Sequence, residues 1–301
     1  MRALARLITL ALLALPEFPL SAEAQPPRAG EPTHLEPVLA ARSDILFYSG
    51  FETDPWSKVW GLAWGPSPEN NLSLVADRTA YRGRSIRIRY PKGLIGGDSA
   101  CEFFSAFSKL GIAPRTDLYV RYLLRFDPGF EFVKGGKLPG LVGGEANTGG
   151  HIPNGRDGWS ARIMWRPGGR IVQYVYHPDQ PGVWGEDYDW NLGGHSRFFK
   201  PGVWHCVETH VRMNTPGKRD GWVESWLDGE KALEARDLRF RDVAELKIDA
   251  FYFSTFFGGG DPSWAPPSDQ YVQFDEFVIA ENPIGPPGGF RGAPVSGRLL
   301  P

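Results

Sequence analysis

The chain has 301 residues, with 33 Lys and Arg against 35 Asp and Glu and a formal net charge of −2. That balance excludes a chain-wide polyanion trap of the nucleic-acid-binding kind, and the length allows one domain with a substantial core. With 37 Gly, 27 Pro, 13% aromatic residues and apolar residues in alternating runs more than at helical spacing, the composition is all-β.

Residues 1–24 read as a secretory signal peptide. Arg2 and Arg6 precede an apolar run from Leu7 to Leu15, and Ala22-Glu23-Ala24 supplies the small residues for cleavage before Gln25. The run is too short to span a bilayer, no cysteine lies near it to carry a lipid, and no later segment is long enough for a membrane helix. A secreted or periplasmic location is therefore expected, with no membrane and no nucleic-acid partner. Residues 25–43 read as a disordered linker and 282–301 as a Gly/Pro-rich tail. Between them, 44–281 form one expected domain without internal repeats, acting as a monomer.

Runs of alternating apolar residues predict strands at Asp44–Gly50, Ser85–Tyr90, Leu118–Phe126, Trp159–Arg166, Arg170–His177, Trp204–Met213, Gly221–Leu227, Ile248–Ser254 and Tyr271–Ala280. So many short strands separated by turn signals point to two packed antiparallel sheets.

The hairpin Gly158–His177 is the most informative stretch. Two runs of aromatic and β-branched residues flank Pro167-Gly-Gly169. With an odd loop, three residues if Arg166 pairs with Arg170, Arg162 lies opposite Tyr174 and Ser160 opposite Tyr176. One face then carries a hydroxyl, a guanidinium and two phenols, while Trp159, Ala161, Ile163, Trp165, Ile171 and Val175 make the other face core. An even loop destroys this arrangement, because a one-residue slip exchanges the faces of one strand. From Phe132 to Arg170, Lys134, Lys137, Arg156, Arg162, Arg166 and Arg170 stand against Glu145 and Asp157, a local excess of four positive charges.

Cys101 and Cys206 are the two cysteines. In an oxidising compartment they allow a disulfide worth about 2–4 kcal/mol; two buried thiols are the alternative. On the predicted strand Trp204–Met213, alternation separates Val207 and Val211 from Glu208, His210 and Arg212, so Glu208 and His210 would touch substrate if theirs is the concave face. The loop holding Trp264 and Asp269 is placed to rim such a cleft.

Three segments resemble the polysaccharide lyase family 14 module, whose members include alginate lyases. They are Lys134-Gly-Gly-Lys-Leu-Pro-Gly-Leu-Val-Gly-Gly144, the Gly158–His177 hairpin, and Ser254-Thr-Phe-Phe-Gly-Gly-Gly-Asp-Pro-Ser-Trp-Ala-Pro-Pro267 followed by Phe274-Asp-Glu-Phe-Val278. The resemblance implies a β-jelly roll (concanavalin-like) sandwich with a sugar chain on its concave sheet. It also implies that Lys137, Ser160, Arg162, Tyr174 and Tyr176 line the cleft. Family members carry a histidine just before the Ser-x-Arg strand; His151 is the candidate here, with its role open.

A polyuronate lyase must remove the C5 proton beside a carboxylate and expel the C4 oxygen. Arg162 suits the carboxylate, because a planar fork of donors matches two oxygens. Lys137, Tyr174 and Tyr176 are the candidates for proton transfer, a tyrosine serving if nearby cations lower its pKa. Ser160 and His151 are expected to position substrate, with Glu208 and His210. No metal or organic cofactor is implied. The expected reaction is β-elimination on an anionic polysaccharide, most readily alginate. A glucuronate polymer such as glucuronan, or a non-catalytic carbohydrate-binding module of the same fold, is the alternative. No Glu-x-Asp-x-x-Glu strand marks a jelly-roll glycosidase, and Gly158-Trp-Ser160-Ala-Arg162 lacks the last glycine of a nucleophile elbow.

Overall fold

The computed structural model describes residues 37–62 and 69–292. The expected signal peptide and most of the expected linker lie outside these residues. Fourteen strands are present among them: β1 Ile45–Ser49, β2 Leu72–Val75, β3 Ser85–Tyr90, β4 Cys101–Ala106, β5 Asp117–Phe126, β6 Gly136–Gly144, β7 Gly158–Trp165, β8 Ile171–Tyr176, β9 Glu186–Asp189, β10 His205–Arg212, β11 Gly221–Leu227, β12 Glu230–Leu238, β13 Ala250–Phe257 and β14 Gln270–Ala280. Two one-turn helices, α1 Pro37–Ala40 and α2 Trp56–Val59, complete the regular structure with a few 3-10 turns.

The strands form two antiparallel sheets packed as a jelly-roll sandwich. One holds eight strands in the order β12-β11-β10-β5-β14-β3-β2, with β1 also pairing β14; the other holds six, β4-β13-β6-β7-β8-β9. β14 serves two neighbours on one side, its first half pairing β3 and its second half β1. The all-β reading holds, and each strand read from the sequence is present within a few residues of its expected ends.

Between the sheets the alternating side chains make one aromatic core. Phe274 and Phe277 of β14 and Tyr122 of β5 meet Phe251 and Phe253 of β13, with Trp60 wedged among them. Each buried ring contributes by area removed from water and by its edge-to-face contacts. One polar bridge crosses this core: Gln173 of β8 accepts from Ser225 Oγ of the opposite sheet at 3.0 Å and donates to Arg162 O at 3.0 Å. That bridge fixes the β7–β8 hairpin against the layer beneath it.

The hairpin has the odd loop. Arg166 N donates to Arg170 O at 2.7 Å around Pro167–Gly169, and Gly168 and Gly169 take φ of 69° and 85°, which favours glycine. The register that follows pairs Ser160 with Tyr176 and Arg162 with Tyr174. Trp159, Ala161, Ile163, Trp165, Ile171 and Val175 all lie in the core.

Cys101 and Cys206 are not bridged. Both are buried thiols, Cys101 on β4 and Cys206 on β10, and these strands belong to opposite sheets. Parts of the segments read as linker and tail pack on the eight-stranded sheet: Leu39 and Ile284 join a cluster with Ile45 and Val278, and Arg42 donates to Pro283 O. No helix among the described residues is long and apolar enough to cross a membrane.

Candidate active site

Antiparallel pairing sets one residue from each strand in a row across the outer face of the six-stranded sheet. One row reads Phe104 on β4, Tyr252 on β13, Gly140 on β6, Arg162 on β7, Tyr174 on β8 and Asp187 on β9. The next reads Phe256, Lys137, Met164 and Val172. Lys137 and Arg162 thus come from neighbouring rows on neighbouring strands, which a 25-residue separation in sequence does not reveal.

Gly140 makes the centre possible. The β7 backbone crowds it so closely that a Cβ there would stand 2.1 Å from Ala161 O. Without one, the Arg162 side chain crosses β6 and its Nη1 donates to Ser254 Oγ on β13 at 3.0 Å. Ser254 Oγ donates in turn to Glu102 Oε1 at 3.0 Å, and Tyr252 OH donates to the same oxygen at 2.7 Å. Arg162 is 2% exposed, lies 5.3 Å from the Tyr252 ring centre, and leaves Nε without a hydrogen-bond partner. A guanidinium fixed this way in the groove lining presents a permanent positive charge to an incoming carboxylate.

Lys137 is partly buried, with Nζ 3.0 Å from Met164 Sδ and 4.4 Å from the Tyr174 ring centre. Burial, then the charges of Arg162 and Arg166, hold its pKa well below the ordinary lysine value, with Asp187 opposing. Tyr174 moves the other way. Burial, then the neighbouring Tyr176 hydroxyl, raise its pKa, and Arg162 and Arg166 pull it down by less. This corrects the expectation that cations lower the tyrosine: desolvation outweighs them, because the phenolate would be buried. Tyr176 stands 5.5 Å from Tyr174, edge to face, and its hydroxyl accepts from Gly150 N at 3.1 Å.

These groups line an open groove of about 810 Å³. Trp264 and the glycines 258–260 form one wall, and Thr148, Gly149 and Trp184 the other. Trp184 is 60% exposed, a free indole face of the sort that stacks on sugar rings. The local cationic excess is smaller than the sequence suggests. Arg166 is clamped by both oxygens of Asp187, at 2.7 and 2.5 Å, and Arg170 bonds Asp189.

Of the residues singled out from the sequence, Lys137, Arg162, Tyr174 and Tyr176 meet in this groove. Ser160 does not reach it. Its hydroxyl is fully buried and donates to Asn147 O at 2.8 Å, so it pins the 145–157 loop instead of holding substrate. His151 sits on that loop, 60% exposed and 3.6 Å from Asp157, and is not part of the groove lining. Glu145, His151 and Asp157 bring one ligand atom each within 4.8 Å of one another, the residues best placed to hold a metal ion among those described.

Glu208 and His210 are corrected. Both lie on β10, in the eight-stranded sheet, away from the groove. Glu208 accepts from the backbone of Ile284 and Gly285, and His210 is bonded to Asp117 and Glu224 while stacked on Tyr119 at 4.0 Å. Asp269 pairs with Arg89, while Trp264 from the same loop does line the groove. Glu102, Tyr252 and Asp187 also line the groove and escaped the sequence reading, and Arg166, noted there only for its charge and its place in the hairpin, lines it too.

A jelly-roll sandwich whose outer sheet carries an amine, a guanidinium and two phenols in an open groove belongs among proteins that work on acidic sugar chains. The family model for polysaccharide lyase 14 matches residues 78–277, and the chain belongs to that family: it is a polysaccharide lyase. Among solved structures it is similar to the alginate lyase Aly36B, at 26% identity and a TM-score of 0.63 over 75% of this chain and 88% of that one. It is also similar to the marine PL-14 alginate lyase from Aplysia kurodai, at 30% identity and a TM-score of 0.61 over 72% of this chain and 89% of that one. An alginate lyase from Chlorella virus shares the fold at 23% identity and a TM-score of 0.58, over 70% of this chain and 90% of that one. No curated protein sequence matches the chain significantly.

Proposed function

We propose that this lyase cleaves alginate by β-elimination, with Lys137 as base, Tyr174 as acid and Arg162 on the carboxylate. The observation that carries the reading is the Lys137 amine, low in pKa, against the Tyr174 ring and beside Arg162. The relatives named as alginate lyases support the polymer.

The difficulty of the reaction is the weak acidity of C5, since proton loss adds negative charge next to a carboxylate. Arg162, itself nearly buried and fixed by Ser254, neutralises that carboxylate, so the charge is stabilised as it develops. A neutral Lys137 amine takes the C5 proton. The C5–H electron pair becomes the C4=C5 double bond as the C4–O4 bond breaks, and the departing O4 takes the Tyr174 proton. Burial favours the neutral phenol, which keeps Tyr174 armed as an acid. The ammonium and phenolate left behind are neighbours, so proton return between them resets the site. Tyr176, tied to Gly150, shapes the wall beside the reacting sugar.

The Arg2 to Ala24 leader supports an exported enzyme. The test is incubation of purified protein with alginate, polymannuronate, polyguluronate and glucuronan while following the ultraviolet absorbance of unsaturated uronate ends. Absorbance rising with alginate is expected. Binding of the polymers with no absorbance change overturns the reading in favour of a carbohydrate-binding module, and a signal with glucuronan alone overturns the polymer.

A further inference from the structure

An acidic side chain in a groove meant for a polyanion needs a reason, and Glu102 is such a residue. It projects from β4 into the groove, one strand from Tyr252 and Ser254. Its Oε1 is saturated by Tyr252 OH and Ser254 Oγ, which fix the carboxylate in place. Among the described residues Oε2 makes no hydrogen bond. It faces Gly97, where a Cβ would stand 2.2 Å away, so the glycine leaves that oxygen room.

Ser254 Oγ separates Glu102 from Arg162, 3.0 Å from each, and the two charges do not pair directly. The groove lining therefore holds a guanidinium and a carboxylate with one unbonded oxygen, bridged by a single hydroxyl. The other charged pair in the lining, Arg166 with Asp187, is closed on itself. A uronate residue carries the matching set, a carboxylate and ring hydroxyls. An acceptor-only carboxylate accepts a hydrogen bond from a hydroxyl but repels a second carboxylate.

Resting on the lyase reading above, we propose that Glu102 is a specificity residue: Oε2 accepts a sugar hydroxyl, and its charge bars a carboxylate from that side, so the uronate enters in one orientation. The two uronates of alginate are C5 epimers and set their carboxylate differently relative to the hydroxyls. A fixed cation and anion admit one relation better than the other, so Glu102 sorts the epimers.

The test compares wild type, Glu102→Gln and Glu102→Ala on polymannuronate and polyguluronate. Binding of saturated tetramers of each uronate is measured by calorimetry in the Lys137→Ala background, which does not depend on turnover. Wild type is expected to favour one polymer at least tenfold in kcat/KM. Glu102→Gln, of the same shape and able to keep the Tyr252 and Ser254 bonds, should narrow the ratio to within threefold, chiefly by lowering KM for the disfavoured polymer. The tetramer affinities should converge likewise. A wild-type ratio near one, a ratio unchanged in Glu102→Gln, or equal loss on both polymers, as expected of a residue that only braces Ser254, overturns the proposal. Tetramer preference that depends on Glu102 without any unsaturated product would keep this inference and sink the elimination reading. Absence of tetramer binding sinks the inference itself.

Discussion

Lys137 Nζ lies 4.4 Å from the centre of the Tyr174 ring and 3.0 Å from Met164 Sδ, while the one carboxylate that supports its charge, Asp187, is clamped by Arg166. Such a setting favours the neutral amine. Lys137→Ala should cost about 10²-fold or more in kcat with KM little changed. The acidic limb of kcat/KM should report loss of the Lys137 proton. The charges facing the amine are Arg162 and Arg166, which depress its pKa, and Asp187, which raises it. Arg166→Gln removes one depressing charge and releases Asp187, so the limb should move to higher pH by about one unit. A limb that stays put would exclude Lys137 as base.

The same depression has a stability consequence with a definite sign. Between the native pKa and the ordinary lysine value the unfolded chain binds one more proton than the folded one, so stability rises with pH through that window. Below that window the depressed pKa of the Lys137 amine is therefore a cost to folding. Lys137→Met should be inactive yet more stable at neutral pH, read as a higher Tm. The gain should vanish as the pH approaches the ordinary lysine range.

Tyr174 and Tyr176 should separate in kinetics. Tyr174→Phe removes the proton donor and should lower kcat by about 10²-fold or more. Because burial raises the Tyr174 pKa, the basic limb of the wild-type profile should lie above the ordinary tyrosine value of 10.0. Tyr176→Phe instead leaves Gly150 N without its acceptor and loosens one wall, so its main effect should be a higher KM. Equal loss of kcat in both variants would reverse these roles.

Ser160 offers a cleaner contrast between structure and chemistry. Its hydroxyl meets Asn147 O beneath the loop and is not itself part of the groove lining. Ser160→Ala should lower stability by about 1 kcal/mol in denaturant unfolding while kcat on saturating polymer is retained. A large fall in kcat with unchanged stability would return Ser160 to the substrate.

The hairpin was legible up to one choice: two-residue alternation leaves the register to loop parity, which the structure settles as the odd loop Pro167-Gly-Gly169. The neighbouring β6 was not predicted as a strand, since Gly136-Lys-Leu-Pro-Gly140 lacks the side chains that mark a pleated surface. β12, Glu230–Leu238, has helix-forming residues and is a strand only because the sheet edge recruits it. Alternation correctly splits Val207 and Val211 from Glu208 and His210, but it says nothing about which of two sheets a strand joins, and β10 joins the sheet without the groove, so the condition for substrate contact fails. Glu102 left no mark, as one carboxylate among aromatics in β4. The sign of the tyrosine shift was missed for a related reason: the cations were visible in the sequence and the burial was not.

Gly140 ties the unpredicted strand to the site. A methyl group there would collide with backbone, Ala161 O at 2.1 Å and Arg162 Cα at 2.7 Å, neither of which can rotate away. Gly140→Ala should force β6 and β7 apart and cost about 3 kcal/mol or more, with Arg162 pulled off Ser254. Glycine 182 has no atom within 4 Å of a built Cβ, so Gly182→Ala should stay within about 0.5 kcal/mol of wild type. Denaturant unfolding of both variants, with lyase rates on the folded fraction, checks the pair. A Gly140→Ala protein as stable and as active as Gly182→Ala would show that Arg162 does not need the open passage over β6.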